Sequence, residues 1–181
     1  MVFLLLADGF EETEALCTLD LLRRAELDVT TVSVAKKEVT GSHGITVIAD
    51  KLYSDIFDID SLECVVLPGG MPGTLNLDKS EFVDGIINYA VAKNILVAAI
   101  CAAPSILGRR NLLKDKSACC YPGFEDLLVG ANVINDTVVK DGNIITAKGA
   151  GVSINFALKI IETLKDKHSA DKVKDSIICE I

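Results

Sequence analysis

The feature that most constrains the fold is an apolar run over residues 95–100 that leads directly into Cys101. A run of this length without polar alternation is typical of a strand buried on both faces, as in a parallel sheet. Pro104 suits the first turn of a following helix, because proline lacks the N–H that this position leaves unused. The pattern therefore predicts a strand, a tight bend at Cys101 and a short helix over residues 105–110.

Cys101 is predicted to lie between a strand end and a helix start, where α/β proteins present groups to a ligand. The small residues Ala102 and Ala103 leave room for a substrate to approach the backbone. A helix N-terminus beside the sulfur favours the thiolate, which is the nucleophilic form. The alternative is a structural thiol, since free cysteine is among the most buried residue types. Position alone leaves both interpretations open.

Strand patterns alternate with amphipathic helix patterns along the rest of the chain. Periodicity predicts longer helices over residues 11–25, 81–93, 152–164 and 170–178. Further strands are predicted over residues 2–7, 29–34, 63–67 and 117–120. Hairpins are predicted at residues 39–47 and 137–146. This order indicates one α/β domain over residues 1–181, with a mostly parallel sheet covered by helices on both faces.

The composition argues against several kinds of partner. The formal net charge of −8 disfavours binding to nucleic acid or to an anionic membrane surface. No apolar stretch is long enough to span a bilayer, and the first residues lack the basic charges of a signal peptide. Six scattered cysteines without metal-ligand spacing fit reduced thiols in a cytoplasmic protein better than disulfides or a zinc site. No phosphate-binding or dinucleotide-binding glycine motif is present, so no cofactor is expected.

Four segments resemble, in the same order, motifs of the ThiJ/PfpI superfamily. They are Asp-Gly-Phe-Glu-Glu-Thr-Glu-Ala (8–15), Val-Val-Leu-Pro-Gly-Gly (65–70), Ala-Ala-Ile-Cys-Ala-Ala-Pro (98–104) and Lys-Gly-Ala-Gly (148–151). Within the superfamily the chain is similar to the branch that contains the Parkinson's-disease-associated deglycase and bacterial YajL. The resemblance implies a flavodoxin-like three-layer sandwich, similar to class I glutamine amidotransferases, with Cys101 as the nucleophile.

The bend at Cys101 between strand and helix resembles the nucleophile elbow of that superfamily. The resemblance also implies roles for residues outside this elbow. Glu14 would reach Cys101, and its carboxyl group, kept neutral by burial, would stabilise the thiolate by a hydrogen bond. The backbone N–H groups of Gly70 and Ala102 would form an oxyanion hole. Many family members have a histidine where this chain has Tyr121, whose ordinary pKa of about 10 makes it a poor base. This departure argues against protease-like activity, because the usual general base is absent.

The remaining titratable candidates are less specific. His43 lies in the first hairpin turn and is predicted to be exposed, with a possible place at the edge of the site. His168 lies in a charged segment and is predicted to be solvated. Glu11 and Glu12 fall in the first turn of a helix, where acids oppose the positive end of the helix dipole. They are expected to serve only that helix terminus.

The resemblance implies a cofactor-free enzyme that forms homodimers and acts on reactive carbonyls through Cys101. Methylglyoxal and its early adducts are the expected substrates, as in deglycase and glyoxalase relatives. The first helix and the hairpin near His43 are the expected dimer contact. The alternative is a sensor of oxidative stress, or a chaperone, in which Cys101 is oxidised to a sulfinate. Both hypotheses require an accessible, reactive thiolate at Cys101.

Overall fold

The computed structural model describes residues 1–180, which form a seven-stranded sheet between two layers of helices. The strands in this part of the chain are β1 (Val2–Leu6), β2 (Val29–Ser33), β3 (Glu38–Thr40), β4 (Thr46–Ile48), β5 (Lys51–Leu52), β6 (Cys64–Leu67), β7 (Leu96–Ile100), β8 (Ser117–Ala118), β9 (Asn132–Val133), β10 (Val138–Asp141) and β11 (Ile144–Ala147). The helices are α1 (Glu12–Arg24), α2 (Gly73–Asp78), α3 (Glu81–Ala92), α4 (Pro104–Arg109), α5 (Ser153–Leu164) and α6 (Lys167–Ser176). None of these helices is both long and apolar enough to cross a membrane.

The large sheet has the strand order β10-β11-β7-β6-β1-β2-β5. Its strands pair in parallel except β10, which forms an antiparallel hairpin with β11. β2 and β5 lie on one side of β1, whereas β6 and all later strands of this sheet lie on the other. Connections from β1 and β6 therefore leave in opposite directions and open a crevice at the carboxyl ends of these strands, where α/β proteins bind ligands.

Alternate residues of each central strand enter two apolar cores, one on each face of the sheet. Val2, Leu4 and Leu6 of β1 belong to the core that packs against α1, α5 and α6. Phe3 and Leu5 belong to the core that packs against α3 and α4. Because both faces are covered, every residue of β1, β6, β7 and β11 is buried, which explains the unbroken apolar sequences of β1, β6 and β7.

The predicted α/β architecture with a mostly parallel sheet is confirmed. Two predicted helix starts are defined by caps: the Val83 N–H donates to the Ser80 side chain before α3, and the Ser169 N–H donates to Asp166 before α6 at 2.7 Å. The latter cap moves the start of α6 ahead of the predicted residue 170. The sequence did not predict α2 or the two-residue strand β5, since both are too short for a periodic pattern.

Candidate active site

Cys101 follows β7 directly and has a φ of 65°, a conformation that residues other than glycine seldom adopt. Two backbone hydrogen bonds hold it there. The Cys101 N–H donates to the Ala147 carbonyl at 2.9 Å, and the Cys101 carbonyl accepts from the Tyr121 N–H at 2.8 Å. Strain of this kind costs about 1–3 kcal/mol and is concentrated at functional sites. The predicted bend is present, Pro104 begins α4, and the cysteine side chain is half-buried.

Glu14 lies in the first turn of α1, and its side chain is almost completely buried. The Gly69 N–H donates to Glu14 Oε2 at 2.8 Å, while Oε1 has no hydrogen-bond partner among residues 1–180. A β-carbon on residue 69 would lie 2.7 Å from Glu14 Oε2 and 2.6 Å from Cys101 Cβ. Only glycine fits between these two side chains. The structure thus brings Glu14 and Cys101 together across the backbone that follows β6.

Two backbone N–H groups converge on the Cys101 sulfur. The backbone N–H groups of Ala102 and Gly70 lower the pKa of the Cys101 thiol, and neither has a backbone acceptor within the described chain. Gly70 has a φ of 94°, and a β-carbon there would lie 2.3 Å from Glu11 N and 2.5 Å from Gly9 O. Glycine is therefore needed for this close approach of Gly70 to the backbone of residues 9–11. Converging donors of this kind stabilise negative charge.

The Glu14 carboxyl and the Cys101 thiol titrate as a coupled pair. Burial raises the pKa of Glu14 to about 7, although the Gly69 hydrogen bond lowers it in part. Burial also raises the pKa of Cys101 to about 12, and the charge and hydrogen bonding of the Glu14 carboxylate add to this effect. The helix N-terminus beside the sulfur, expected to favour the thiolate, does not set the direction of the Cys101 pKa. Helix α4 has only six residues, and its first turn does not outweigh burial and a neighbouring acid.

Above pH about 7 the pair has lost one proton, and because the pKa of Cys101 is raised to about 12, the proton that remains lies mainly on the sulfur. With the proton on sulfur, the Gly69 N–H stabilises the Glu14 carboxylate. With the proton on Glu14, the thiolate is stabilised by that carboxyl group and by the N–H groups of Gly70 and Ala102. The two forms have the same net charge. Movement of one proton within the pair therefore gives a thiolate without release of a proton to solvent.

Glu12 has a different role from the one predicted. Its side chain is buried, accepts from the His43 N–H at 2.8 Å, and lies 3.0 Å from His43 Nδ1. Although burial opposes the shift, these hydrogen bonds lower the pKa of Glu12 to about 2, and they raise that of His43. The expectation that Glu12 serves only the helix terminus was wrong, because it also fixes the β3–β4 hairpin to α1. His168 is exposed on α6.

The His43 side chain is 69% exposed and pairs with Glu11 and Glu12, not with Cys101. One atom from each of Glu11, Glu12 and His43 lies within 4.8 Å of the others, a spacing compatible with a metal ion. The Glu12 oxygens already accept hydrogen bonds from the hairpin, including one from Ile45 N at 3.3 Å. The ion pair accounts for this cluster.

Tyr121 lies at the edge of the candidate site, beside Cys101. Its side chain is half exposed, and its ring packs edge-on against Phe124 with 6.5 Å between ring centroids. Gly149 lies under the ring: a β-carbon there would be 3.3 Å from Tyr121 Cδ2 and 3.9 Å from Cys101 Sγ. Gly69 and Gly149 were not predicted as site residues. The signal was present, because both belong to the glycine-containing segments that carry the family resemblance.

The comparisons with known proteins agree over nearly the whole chain. A model of the DJ-1/PfpI family matches residues 1–163. The chain is 36% identical over 177 residues to "Protein dj-1beta" of Drosophila melanogaster, with coverage of 96% of this chain and 94% of that protein. It is 37% identical over 181 residues to "Protein DJ-1 homolog A" of Arabidopsis thaliana, covering 98% of this chain. The chain spans 46% of that longer relative.

The structural comparison gives the same result. The solved structure of "Toxoplasma gondii DJ-1, oxidized" has a TM-score of 0.95 at 34% identity, covering 99% of this chain and 98% of that one. A more divergent relative is named "Glutathione-independent glyoxalase DJR-1.2" of Caenorhabditis elegans, 29% identical over 165 residues, with coverage of 91% of this chain and 88% of that protein. With the family motifs present in order on the matching fold, the chain belongs to the DJ-1/PfpI family.

Proposed function

We propose that this protein is a cofactor-free hydrolase of the glyoxalase or deglycase type, which acts on methylglyoxal or its early adducts. The observation that carries the proposal is the convergence of three groups on one point. The Cys101 sulfur, the buried Glu14 carboxyl and the N–H groups of Gly70 and Ala102 supply a nucleophile, a proton carrier and an oxyanion hole. The name of the nematode relative supports the same chemistry.

The proposed reaction begins with attack of the Cys101 thiolate on the aldehyde carbon of methylglyoxal. A carbon–sulfur bond forms, and the carbonyl electron pair moves to oxygen, where the N–H groups of Gly70 and Ala102 stabilise it. Glu14 gives its proton to this oxygen, which yields a hemithioacetal and a Glu14 carboxylate. The buried carboxylate is then a stronger base than an exposed one, because burial raises its pKa to about 7.

Glu14 next removes the hydrogen of the carbon bonded to sulfur and returns it to the neighbouring carbon. The hydroxyl proton passes to the second oxygen, so the product of this step is a thioester of lactate. Water then attacks the thioester carbon, the carbon–sulfur bond breaks, and the sulfur recovers its proton. The sum is one methylglyoxal plus one water giving one lactic acid, with no glutathione and no cofactor consumed.

Product identification by proton NMR tests this proposal. Purified protein incubated with methylglyoxal alone is expected to produce lactate, with deuterium at the second carbon when the reaction runs in deuterated water. That label is expected because the proton held by Glu14 exchanges with solvent between the two transfers. Methylglyoxal consumption that yields no lactate, or no consumption at all, would contradict the glyoxalase assignment. Early adducts of methylglyoxal with arginine are tested in the same way.

A second candidate is a sensor of oxidative stress, or a chaperone, in which Cys101 is oxidised by hydrogen peroxide. The thiolate takes one oxygen from each of two peroxide molecules, which are reduced to water, and becomes a sulfinate. The convergence of Gly70 N–H, Ala102 N–H and a protonated Glu14 would bind sulfinate oxygens. The related Toxoplasma gondii structure is described as oxidised. Intact-mass analysis after peroxide treatment should show two added oxygen atoms, mapped to Cys101; addition spread over several cysteines would exclude this candidate.

We also propose that the protein forms a homodimer in the cytoplasm, where its six free cysteines would remain reduced. The β3–β4 hairpin and α1 would form the contact, because Ile45 and Ile48 on the hairpin are 53% and 73% exposed. Light scattering at micromolar concentration should give twice the mass of one chain. Ile48→Lys should give a monomer, whereas Ile178→Lys, at another exposed isoleucine, should not. A monomeric unmodified protein would refute the proposal.

A further inference from the structure

The space beside the nucleophile is bounded on two sides by residues from distant parts of the chain. A β-carbon on Gly149 would lie 3.3 Å from Tyr121 Cδ2, 3.8 Å from Tyr121 Cε2 and 3.9 Å from Cys101 Sγ. The aromatic ring and the sulfur therefore face the same position, which the missing side chain of Gly149 leaves free. A methyl-sized group at this position would make ordinary van der Waals contact with the sulfur and with Tyr121 Cε2, and a tighter contact with Tyr121 Cδ2.

The ring is held in this place by its own surroundings. The Tyr121 N–H donates to the Cys101 carbonyl at 2.8 Å, so the backbone that carries the ring is bonded to the elbow itself. Phe124 N–H donates to the Tyr121 carbonyl at 3.1 Å, and the two rings meet edge-on at 80°. The tyrosine ring, which forms one wall of the space, is therefore positioned by a hydrogen bond to Cys101 itself.

The contacts with the free position involve ring carbons of Tyr121. The tyrosine ring therefore limits the space on this side of the site by its size, and its hydroxyl group takes no part in these contacts. A histidine ring, which many family members have at this place, is smaller than the tyrosine ring. By its size, a tyrosine ring leaves less room beside the sulfur than a histidine ring would, and it lacks the imidazole base.

We propose that Tyr121 and Gly149 form a size filter, which admits aldehydes with a methyl-sized substituent to Cys101 and excludes those with an aryl substituent. This inference rests on the proposed function for the identity of the substrate class, 2-oxoaldehydes. The filter itself concerns access to the sulfur and applies to any electrophile that reacts there. Tyr121 is then a specificity-determining residue. Gly149 borders the passage, which is the free position between the tyrosine ring and the Cys101 sulfur.

Alkylation of Cys101 by maleimide and by N-phenylmaleimide tests the filter without any need for turnover. The same thiolate attacks both reagents, so the ratio of the two alkylation rates does not depend on the thiol pKa. Peptide mass spectrometry assigns the adduct to Cys101. The unmodified protein should react with N-phenylmaleimide more slowly, relative to maleimide, than free glutathione does. Tyr121→Ala should raise this relative rate by about tenfold, the lower range for steric discrimination in a pocket.

Matched variants distinguish the steric effect of the Tyr121 ring on the alkylation rates from unspecific effects of losing a tyrosine. Tyr121→Phe keeps the ring and should retain the rate ratio of the unmodified protein. Tyr53→Ala removes another partly exposed tyrosine that packs against a phenylalanine, Phe82, and should also leave the ratio unchanged. Gly149→Ala adds a methyl group in the passage and should slow alkylation by maleimide itself. An unchanged ratio in Tyr121→Ala, or an unchanged maleimide rate in folded Gly149→Ala, would overturn the filter.

Methylglyoxal and phenylglyoxal provide the corresponding substrate pair. Tyr121→Ala should raise the relative kcat/KM for phenylglyoxal by a similar factor, mainly through KM, since the chemical groups at Cys101 are unchanged. If neither aldehyde is consumed by any variant, the proposed function fails, and the alkylation ratio still decides the filter. If both are consumed with the same preference in Tyr121→Ala as in the unmodified protein, the filter is refuted and the proposed function stands.

Discussion

Cys101→Ser is expected to abolish methylglyoxal consumption while it leaves the fold intact. The serine hydroxyl is not ionised at neutral pH and cannot replace the thiolate, so kcat/KM should fall by at least about 10⁴-fold, the scale seen when a catalytic nucleophile is removed. Serine has nearly the same shape and can occupy the same strained backbone position, so thermal unfolding should change little. Loss of carbonyl absorbance reports the activity, and a thermal scan reports the fold.

The matched control for this variant is Cys179→Ser, at a half-buried cysteine outside the site. It should keep the activity of the unmodified protein. Substantial activity in Cys101→Ser, or equal loss in both variants, would contradict the assignment of Cys101 as nucleophile.

Glu14→Gln is expected to lower kcat for methylglyoxal by about 10²- to 10⁴-fold, the contribution of one general acid–base group. Glutamine keeps an oxygen that can accept from the Gly69 N–H, so the site should retain its shape. Glutamine has no carboxyl proton, so it can neither protonate the hemithioacetal oxygen nor transfer the hydrogen between the two carbons. Steady-state kinetics at several pH values measure the effect.

The pH dependence distinguishes loss of proton transfer from loss of structure. Below pH about 7 both Glu14 and Cys101 are protonated, so activity of the unmodified protein should fall as the pH drops through this value. In Glu14→Gln the rise should move to higher pH, because the thiol must lose its own proton against the effect of burial. Glu11→Gln is the matched control. It removes a negative charge that raises the pKa of Glu14, so its midpoint should move slightly downward. A midpoint that moves the same way in both variants would contradict the paired mechanism.

The elbow was predictable from local sequence, whereas its electrostatics were not. An apolar run followed by Cys101 and Pro104 contains the strand, the bend and the helix start, because each depends on neighbours in the chain. The helix-dipole argument considered only α4. Burial has the largest effect on the thiol pKa, and the Glu14 carboxylate has the next largest. Glu14 belongs to α1 and lies on the far side of the Gly69 backbone. Such a pairing depends on tertiary contacts that periodicity does not reveal.

Glu12 and Gly149 show the same limit. An acid in the first turn of a helix is explained by the dipole alone, and nothing near Glu12 in the sequence indicates its hydrogen bonds to the hairpin at His43. The space between Tyr121 and Cys101 exists because Gly149 lies between them in the fold. Gly149 lies in a sequence segment that carries the family resemblance. Only the packing shows that its missing side chain leaves space for the neighbouring side chains.

The central claim is that Cys101 and Glu14 titrate as one pair, so that the Glu14 carboxylate raises the pKa of the thiol and can accept its proton. The most direct test is the ultraviolet absorbance of the thiolate as a function of pH, in the unmodified protein and in Glu14→Gln, with Cys101→Ser as the blank. Because the Glu14 charge helps to raise the Cys101 pKa to about 12, we predict that thiolate absorbance rises only at high pH in the unmodified protein and that this rise moves to lower pH in Glu14→Gln. A rise at the same pH in both proteins, or one that moves to higher pH in Glu14→Gln, would contradict the account.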